Sequence, residues 1–368
     1  MGRWVLVAMA SAVLIGASFF SVGAQPRVIT IGYPAPVTGP GAQIGQFSVQ
    51  GATLAVEQAN AEAKDFRLVL KIEDGACEPK QAAAATEKLI RDGVHVLLGA
   101  LCSSASVAAT SISERAKTPI VVHTSSADKI TEQGYRYVFR TTPNNTQVVN
   151  ALFTQTMKEK PQRIGFVFEQ TDWGRDAASK FRERAEATGI KVVAFDGVPR
   201  TEVNFVPLAT KLKAASTDAV FVALLAPQAQ LVLRNVSEVG FKPRWVGMQT
   251  IGTTDFLGKA GPLIDDLIAI SFFEVTTENP MSARFREAFK KKYNREPETF
   301  AALAADGVGA IVDAVKRGGR DRESLRSALA QTANLPALAG PTTFDGKGQV
   351  TKAGFVVRWK NGTRELLR

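Results

Sequence analysis

Two clusters of small hydroxyl residues, Cys102-Ser103-Ser104 and Thr124-Ser125-Ser126, stand where binding chemistry would gather. Each follows a short apolar run, 94–101 and 119–123, and the first leads straight into a helical pattern. In open parallel sheets, small molecules bind beyond the carboxyl ends of the strands. Hydroxyls beside the free N–H groups of a helix start suit a carboxylate. The competing role for Ser103 is a plain helix cap. Further along, Trp173 follows the run 164–168, while Leu225 and Gln249 end or follow the runs 219–225 and 245–248. A loop aromatic just before a helix commonly forms a cleft wall, which is the expectation for Trp173.

The groups needed for bond-breaking chemistry are not arranged for it. No GxSxG elbow, Walker A loop, HExxH pair or zinc-type Cys/His cluster occurs in the sequence. Gly39-Pro-Gly41-Ala-Gln-Ile-Gly45 comes nearest to a dinucleotide loop, but its last gap is too long and Pro40 occupies the turn. Of the two histidines, His95 alternates inside an apolar run and reads as core. His123 ends a run and could face a pocket, yet it has neither a nucleophile nor a metal partner. The expectation is a binding protein rather than an enzyme, with no cofactor and no metal.

Elements that would position these residues alternate regularly. Strand-like runs at 28–33, 68–73, 94–101, 119–123, 137–140, 164–168, 192–195, 219–225, 245–248 and 267–273 alternate with helical stretches at 48–64, 80–92, 104–117, 175–189, 205–215 and 227–240, and three more follow at 281–293, 298–318 and 322–332. One such stretch, 48–64, places Ala52, Ala55, Ala59 and Ala63 on one stripe. This rhythm predicts an α/β protein with doubly wound parallel sheets covered on both faces. A break at 140–147 and another at 276–280 divide it into two lobes joined by three crossings. The expected boundaries are 25–143 with 277–348 for lobe 1, and 144–276 with 349–368 for lobe 2. Asp345-Gly346 and Asn361-Gly362 are tight-turn sequences in a tail that returns to strand-like alternation.

Residues 1–24 read as an export signal: Arg3, an apolar run from Trp4 to Phe20, and the small residues Val22-Gly23-Ala24. Cleavage after Ala24 would leave about 340 residues, enough for two domains. The formal net charge of +10 falls by one with Arg3, and the basic residues are scattered rather than clustered. That pattern argues against nucleic acid, and monomer is the simplest expectation. Cys77 and Cys102 form an isolated even pair, which in an oxidising compartment reads as one disulfide. Closing a loop of about 25 residues is worth roughly 3 kcal/mol in the chain-entropy account.

Five segments, EDGACEPKQAAA, GALCSSAS, YRYVFRTTP, PQRIGFVFEQTDWGRDAA and GPTTFDGKGQV, carry a resemblance in the same order along the chain. The chain is similar to the periplasmic leucine/isoleucine/valine-binding family of ABC-transporter receptors. The resemblance implies a Venus-flytrap fold, a disulfide, and delivery of a ligand to a membrane permease. It places Ser103, Thr124 and Ser126 where the family holds a ligand's carboxylate and amino group.

Departures from the family pattern bear on specificity. Ile44 stands where an aromatic commonly follows the first strand, Trp173 where Tyr is usual, and Leu225 also replaces an aromatic. Gln249 stands where an acid usually meets the α-ammonium, and Asn145 in the first crossing is often acidic elsewhere. A buried ammonium without a carboxylate partner is costly. The expected ligand is therefore a carboxylate lacking an α-amino group, aromatic in kind, with Glu169 or Asp172 the alternative source of charge for an amino acid. A sensory receptor of the same fold and an extracellular hydrolase acting through Ser103 are the competing functions.

Overall fold

In the run 164–168, Ile-Gly-Phe-Val-Phe, every residue is buried, which requires a strand covered on both faces. The computed structural model describes residues 26–276, 278–352 and 354–367 and builds two such covered sheets; the expected export signal at 1–24 lies outside the described residues. The first half of the chain gives β1 (Arg27–Ala35), α1 (Ala42–Glu62), β2 (Phe66–Asp74), α2 (Pro79–Arg91), β3 (Val96–Gly99), α3 (Ser103–Arg115), β4 (Ile120–Val122) and β5 (Val138–Arg140). These strands pair in the order β2-β1-β3-β4-β5, all parallel. They form lobe 1.

Lobe 2 begins with α4 (Asn145–Met157), β6 (Arg163–Glu169), α5 (Asp172–Ala187), β7 (Lys191–Val198), α6 (Val206–Ala214) and β8 (Ala219–Ala223). It continues with α7 (Ala226–Glu238), β9 (Arg244–Gly247), α8 (Thr254–Ala260) and β10 (Leu267–Ser271). Three helices, α9 (Pro280–Tyr293), α10 (Thr299–Lys316) and α11 (Arg322–Ala330), then pack back on lobe 1. The chain ends in β11 (Phe355–Lys360) and β12 (Thr363–Leu367) on the edge of the second sheet, whose order is β12-β11-β10-β9-β8-β6-β7.

That edge departs from a wholly parallel sheet, because β11 and β12 run antiparallel. Asn361 and Gly362 close their hairpin with φ of 50° and 73°, the left-handed geometry a two-residue turn needs. Two helices had no counterpart among the expected elements. One is α4, whose N-cap Asn144 and Gln147 form a capping box. The other is α8, started by Thr253 accepting from the Phe256 N–H at 3.2 Å.

Packing explains the small-residue stripe on α1. A Cβ on Gly51 would lie 2.0 Å from the Ala301 carbonyl oxygen, so α1 and α10 approach backbone to backbone. Lobe 2 is filled differently, with Phe166, Phe181 and Phe221 in mutual ring contact at 4.9–6.0 Å. The chain passes between lobes after Arg140, after Ser271 and after Gln349. The first and third passages are tied together, since the Arg140 N–H donates to the Gly348 carbonyl at 2.7 Å.

Candidate functional site

The carboxyl ends of both sheets face one another across the crossings. Polar contacts join the lobes there: the Asp172 N–H donates to Ser104 Oγ at 3.2 Å and the Asp128 N–H to Asp176 Oδ2 at 3.2 Å. Lys129 pairs with Asp172 at 2.7 Å, also from lobe to lobe. Beside these contacts, residues of both lobes line one narrow cavity.

Seven of the nine expected ligand residues line it: Ile44, Ser103, Thr124, Ser126, Trp173, Leu225 and Gln249. Ser103 is not the cap of its helix. The N-cap position of α3 is Cys102, which makes no side-chain capping bond, and Ser103 Oγ instead accepts from the Ala127 N–H at 3.2 Å. The start of α3 is thus an uncapped helix N-terminus on the cavity wall. Ser125 turns inward, donating to the Leu101 carbonyl at 2.8 Å, while Ser126 reaches across to Gln249 Nε2 at 3.5 Å.

Three lining side chains hold a buried polar atom without a partner in the protein: Thr124 Oγ1, Trp173 Nε1 and Gln249 Oε1. Buried polar atoms are normally satisfied, so this convergence makes the cavity the candidate ligand site. Apolar surface completes the wall through Ile44, Leu101, Leu225 and Phe300.

The two remaining expected residues lie elsewhere. His123 is fully buried in lobe 1, with Nε2 at 2.8 Å from Ser48 Oγ and 3.2 Å from the Tyr33 hydroxyl. Burial holds its pKa down to about 3, so the ring stays neutral as a core residue. Asn145 sits one layer behind the wall as the first residue of α4. Its N–H donates to the Ser126 carbonyl at 2.6 Å and its side-chain amide to the Trp173 carbonyl at 3.2 Å. It holds two lining residues without lining the cavity itself.

Sequence reasoning missed Arg200 and assigned Glu169 no fixed role. Glu169 is 1% exposed, lines the cavity, and accepts from Arg200 Nε. A charged residue ending an apolar strand was the available signal for Glu169. Asp172 faces Lys129 rather than the cavity. Cys77 and Cys102 are disulfide-bonded, with Cα atoms 5.2 Å apart. Among the described residues, no group of three His, Cys, Asp or Glu could hold a metal ion.

The profile of the periplasmic binding protein family matches residues 28–364 of this sequence. The chain belongs to that family. The leucine-, isoleucine-, valine-, threonine- and alanine-binding protein of Pseudomonas aeruginosa is 31% identical over 358 residues, covering 95% of this chain and 94% of its own. The branched-chain amino acid transporter substrate-binding protein LivJ of Streptococcus pneumoniae, in complex with isoleucine, superposes with a TM-score of 0.83. It shares 25% identity over 93% of this chain and 99% of its own. An ABC-transporter solute-binding protein of R. palustris in complex with benzoate has a TM-score of 0.84 at 21% identity, covering 93% and 95% of the two chains. This periplasmic binding protein is a substrate-binding receptor of the branched-chain amino acid-binding group of ABC transporters.

Two outcomes follow from the geometry. Ser103→Ala should weaken a carboxylate ligand by about 1–3 kcal/mol in calorimetric titration; unchanged affinity would leave Ser103 only its bond to Ala127. The second concerns Glu298, which borders α10 of lobe 1 and accepts from the Asp255 N–H of lobe 2 at 2.9 Å, near Arg364. Burial lifts its pKa from 4.5 to about 7, and hydrating the carboxyl on lobe separation would lower it again, opposed by loss of the Asp255 N–H bond. Closing then takes up a proton, so this contribution is full below the open-state value and is lost as pH rises through the closed one. Affinity should be several-fold tighter at about pH 5.5 than at about pH 7.5, and Glu298→Gln should flatten that difference. An opposite trend, or one unaltered in the variant, would contradict this.

Proposed function

We propose that this receptor captures a small carboxylate lacking an α-amino group, with an apolar and preferably aromatic body, outside the cytoplasm and delivers it to a membrane permease. One observation carries the ligand class. The acidic side chain on the cavity wall, Glu169, is already engaged by Arg200, and Gln249 opposite Ser126 is neutral. A buried α-ammonium would meet no free carboxylate and would lose its hydration uncompensated.

The carboxylate end fits lobe 1, where the uncapped start of α3, Ser103, Thr124 and Ser126 supply N–H and O–H donors. The indole N–H of Trp173 and the amide of Gln249 suit a polar substituent on the far side of the ligand. Ile44, Leu101, Leu225 and Phe300 suit a ring or branched chain. Binding across both lobes would favour the closed arrangement, and a permease could read that closure.

A branched-chain amino acid is the second reading, because Glu169 still reaches the cavity and could turn toward an ammonium. The Pseudomonas aeruginosa relative, named for leucine and four other amino acids, favours it too.

Thermal unfolding of the ligand-stripped protein separates the readings. A ligand bound only by the native state adds about 2.7 kcal/mol at a hundredfold excess over Kd. 4-Hydroxybenzoate should raise the midpoint and leucine should not, whereas Gln249→Glu should gain a response to leucine. A shift with leucine alone in the native protein would overturn the non-amino reading in favour of the amino acid.

A further inference from the structure

Arg200 lies between β7 and α6 in lobe 2, yet its guanidinium ends on lobe 1. Nε donates to Glu169 of its own lobe. Nη1 donates to the Cys77 carbonyl at 2.9 Å and to the Glu78 carboxylate at 2.9 Å, both on lobe 1. The same side chain forms part of the cavity wall. Of the cross-cleft ion pairs, Arg200 is 17% and Glu78 48% exposed, against 49% and 33% for Lys129 with Asp172 and 29% and 6% for Lys180 with Asp128. Arg200 is distinguished by gripping a backbone carbonyl as well as a carboxylate.

The surface that receives Arg200 is unusually fixed. Ala76 and Cys77 occupy consecutive left-handed conformations, φ 46° and 62°, which non-glycine residues adopt only when the surroundings impose them. Asp74 Oδ1 accepts from the Ala76 N–H at 2.9 Å and the Val37 N–H at 3.0 Å, pinning one side of the loop. The disulfide pins the other side, joining Cys77 to Cys102, the N-cap of α3. One covalent link thus connects the carbonyl that Arg200 grips to the helix start on the cavity wall.

We infer that Arg200 is the clasp of the closed cleft, fastening lobe 2 to the disulfide-pinned loop of lobe 1 and setting how long a captured molecule stays. Opening costs Nη1 its two lobe 1 acceptors but leaves Nε on Glu169, so neither charge is stranded in the open form. The clasp is therefore releasable, and its contribution falls on escape of the ligand rather than on entry. The inference rests on capture between the lobes and is indifferent to which carboxylate is captured.

Stopped-flow binding tests it, with 4-hydroxybenzoate and leucine both offered as probes and whichever the native protein binds carried through the variants. Arg200→Lys keeps a charge for Glu169 but loses the forked reach, and Glu78→Ala removes the carboxylate acceptor on lobe 1 without touching the cavity lining. Each should speed dissociation by about tenfold, the effect of losing a charge-assisted hydrogen bond, with association changed by less than about twofold. The unfolding midpoint of the ligand-free protein should not move. Cys77→Ser with Cys102→Ser should also speed dissociation, because the gripped loop is released. Unchanged dissociation in both the Arg200 and the Glu78 variant would overturn the clasp while leaving capture intact. Equal slowing of association, or loss of ligand-free stability that accounts for the change, would reduce Arg200 to a structural residue of lobe 2. If neither probe binds the native protein, both ligand readings proposed above fail, and the clasp, which rests on capture of one of them, fails with them.

Discussion

A guanidinium with no exposure to water sits where the chain first leaves lobe 1. Arg140 donates from Nε to Gln349 Oε1 at 2.5 Å, from Nη1 to the Ala127 carbonyl at 2.6 Å, and from Nη2 to Thr131 Oγ1 at 2.9 Å. Burial draws its pKa down to about 10, so it remains charged at neutral pH, and carbonyl and hydroxyl dipoles take the place of water. Such a group is expensive to bury and far more expensive to leave unsatisfied. The arrangement that satisfies it fixes the first crossing against the third, and it also fixes the loop bearing Ser125, Ser126 and Ala127. The hinge and the lobe 1 half of the site are thereby set by the same charge.

Lobe 2 contributes in a different manner. Its lining residues reach the cavity from strand ends and helix starts that meet lobe 1 through a few polar contacts, with Glu298 on one side and Arg200 on another. Contacts of that kind can be broken and remade, unlike the phenylalanine packing within the lobe. The unpartnered atoms of Thr124, Trp173 and Gln249 converge from both lobes, so a molecule bound there would join them. Affinity and closure become one equilibrium.

Much of this was legible in the residues. Continuous apolar runs as short as 164–168 read as doubly covered strands, and their regular alternation with amphipathic stretches points to the parallel lobes. The hydroxyl clusters at 102–104 and 124–126 were legible because strand-end position and helix start are both local. Arg200 was not, since its acceptors on Glu169, Cys77 and Glu78 lie 31, 123 and 122 residues away and no periodicity announces them. His123 misled for the opposite reason. A strand end looks like a cavity edge in sequence, but α10 and α1 cover this one, and a Cβ on Gly307 would come within 3.0 Å of the His123 Cβ. The helix α4 was hidden by its polar start, where Asn144 and Gln147 serve the cap rather than a loop.

The central claim is that the cavity accepts a carboxylate and refuses an α-ammonium, and a matched pair tests it most directly. Leucine and 4-methylpentanoate share carboxylate and side chain and differ only in the amino group. Calorimetric titration of the ligand-stripped protein with each should show the desamino acid binding at least about tenfold tighter, the scale set by an unpaired buried charge. Tighter binding of leucine would mean that Glu169 leaves Arg200 for the ammonium, and the account of specificity would be wrong.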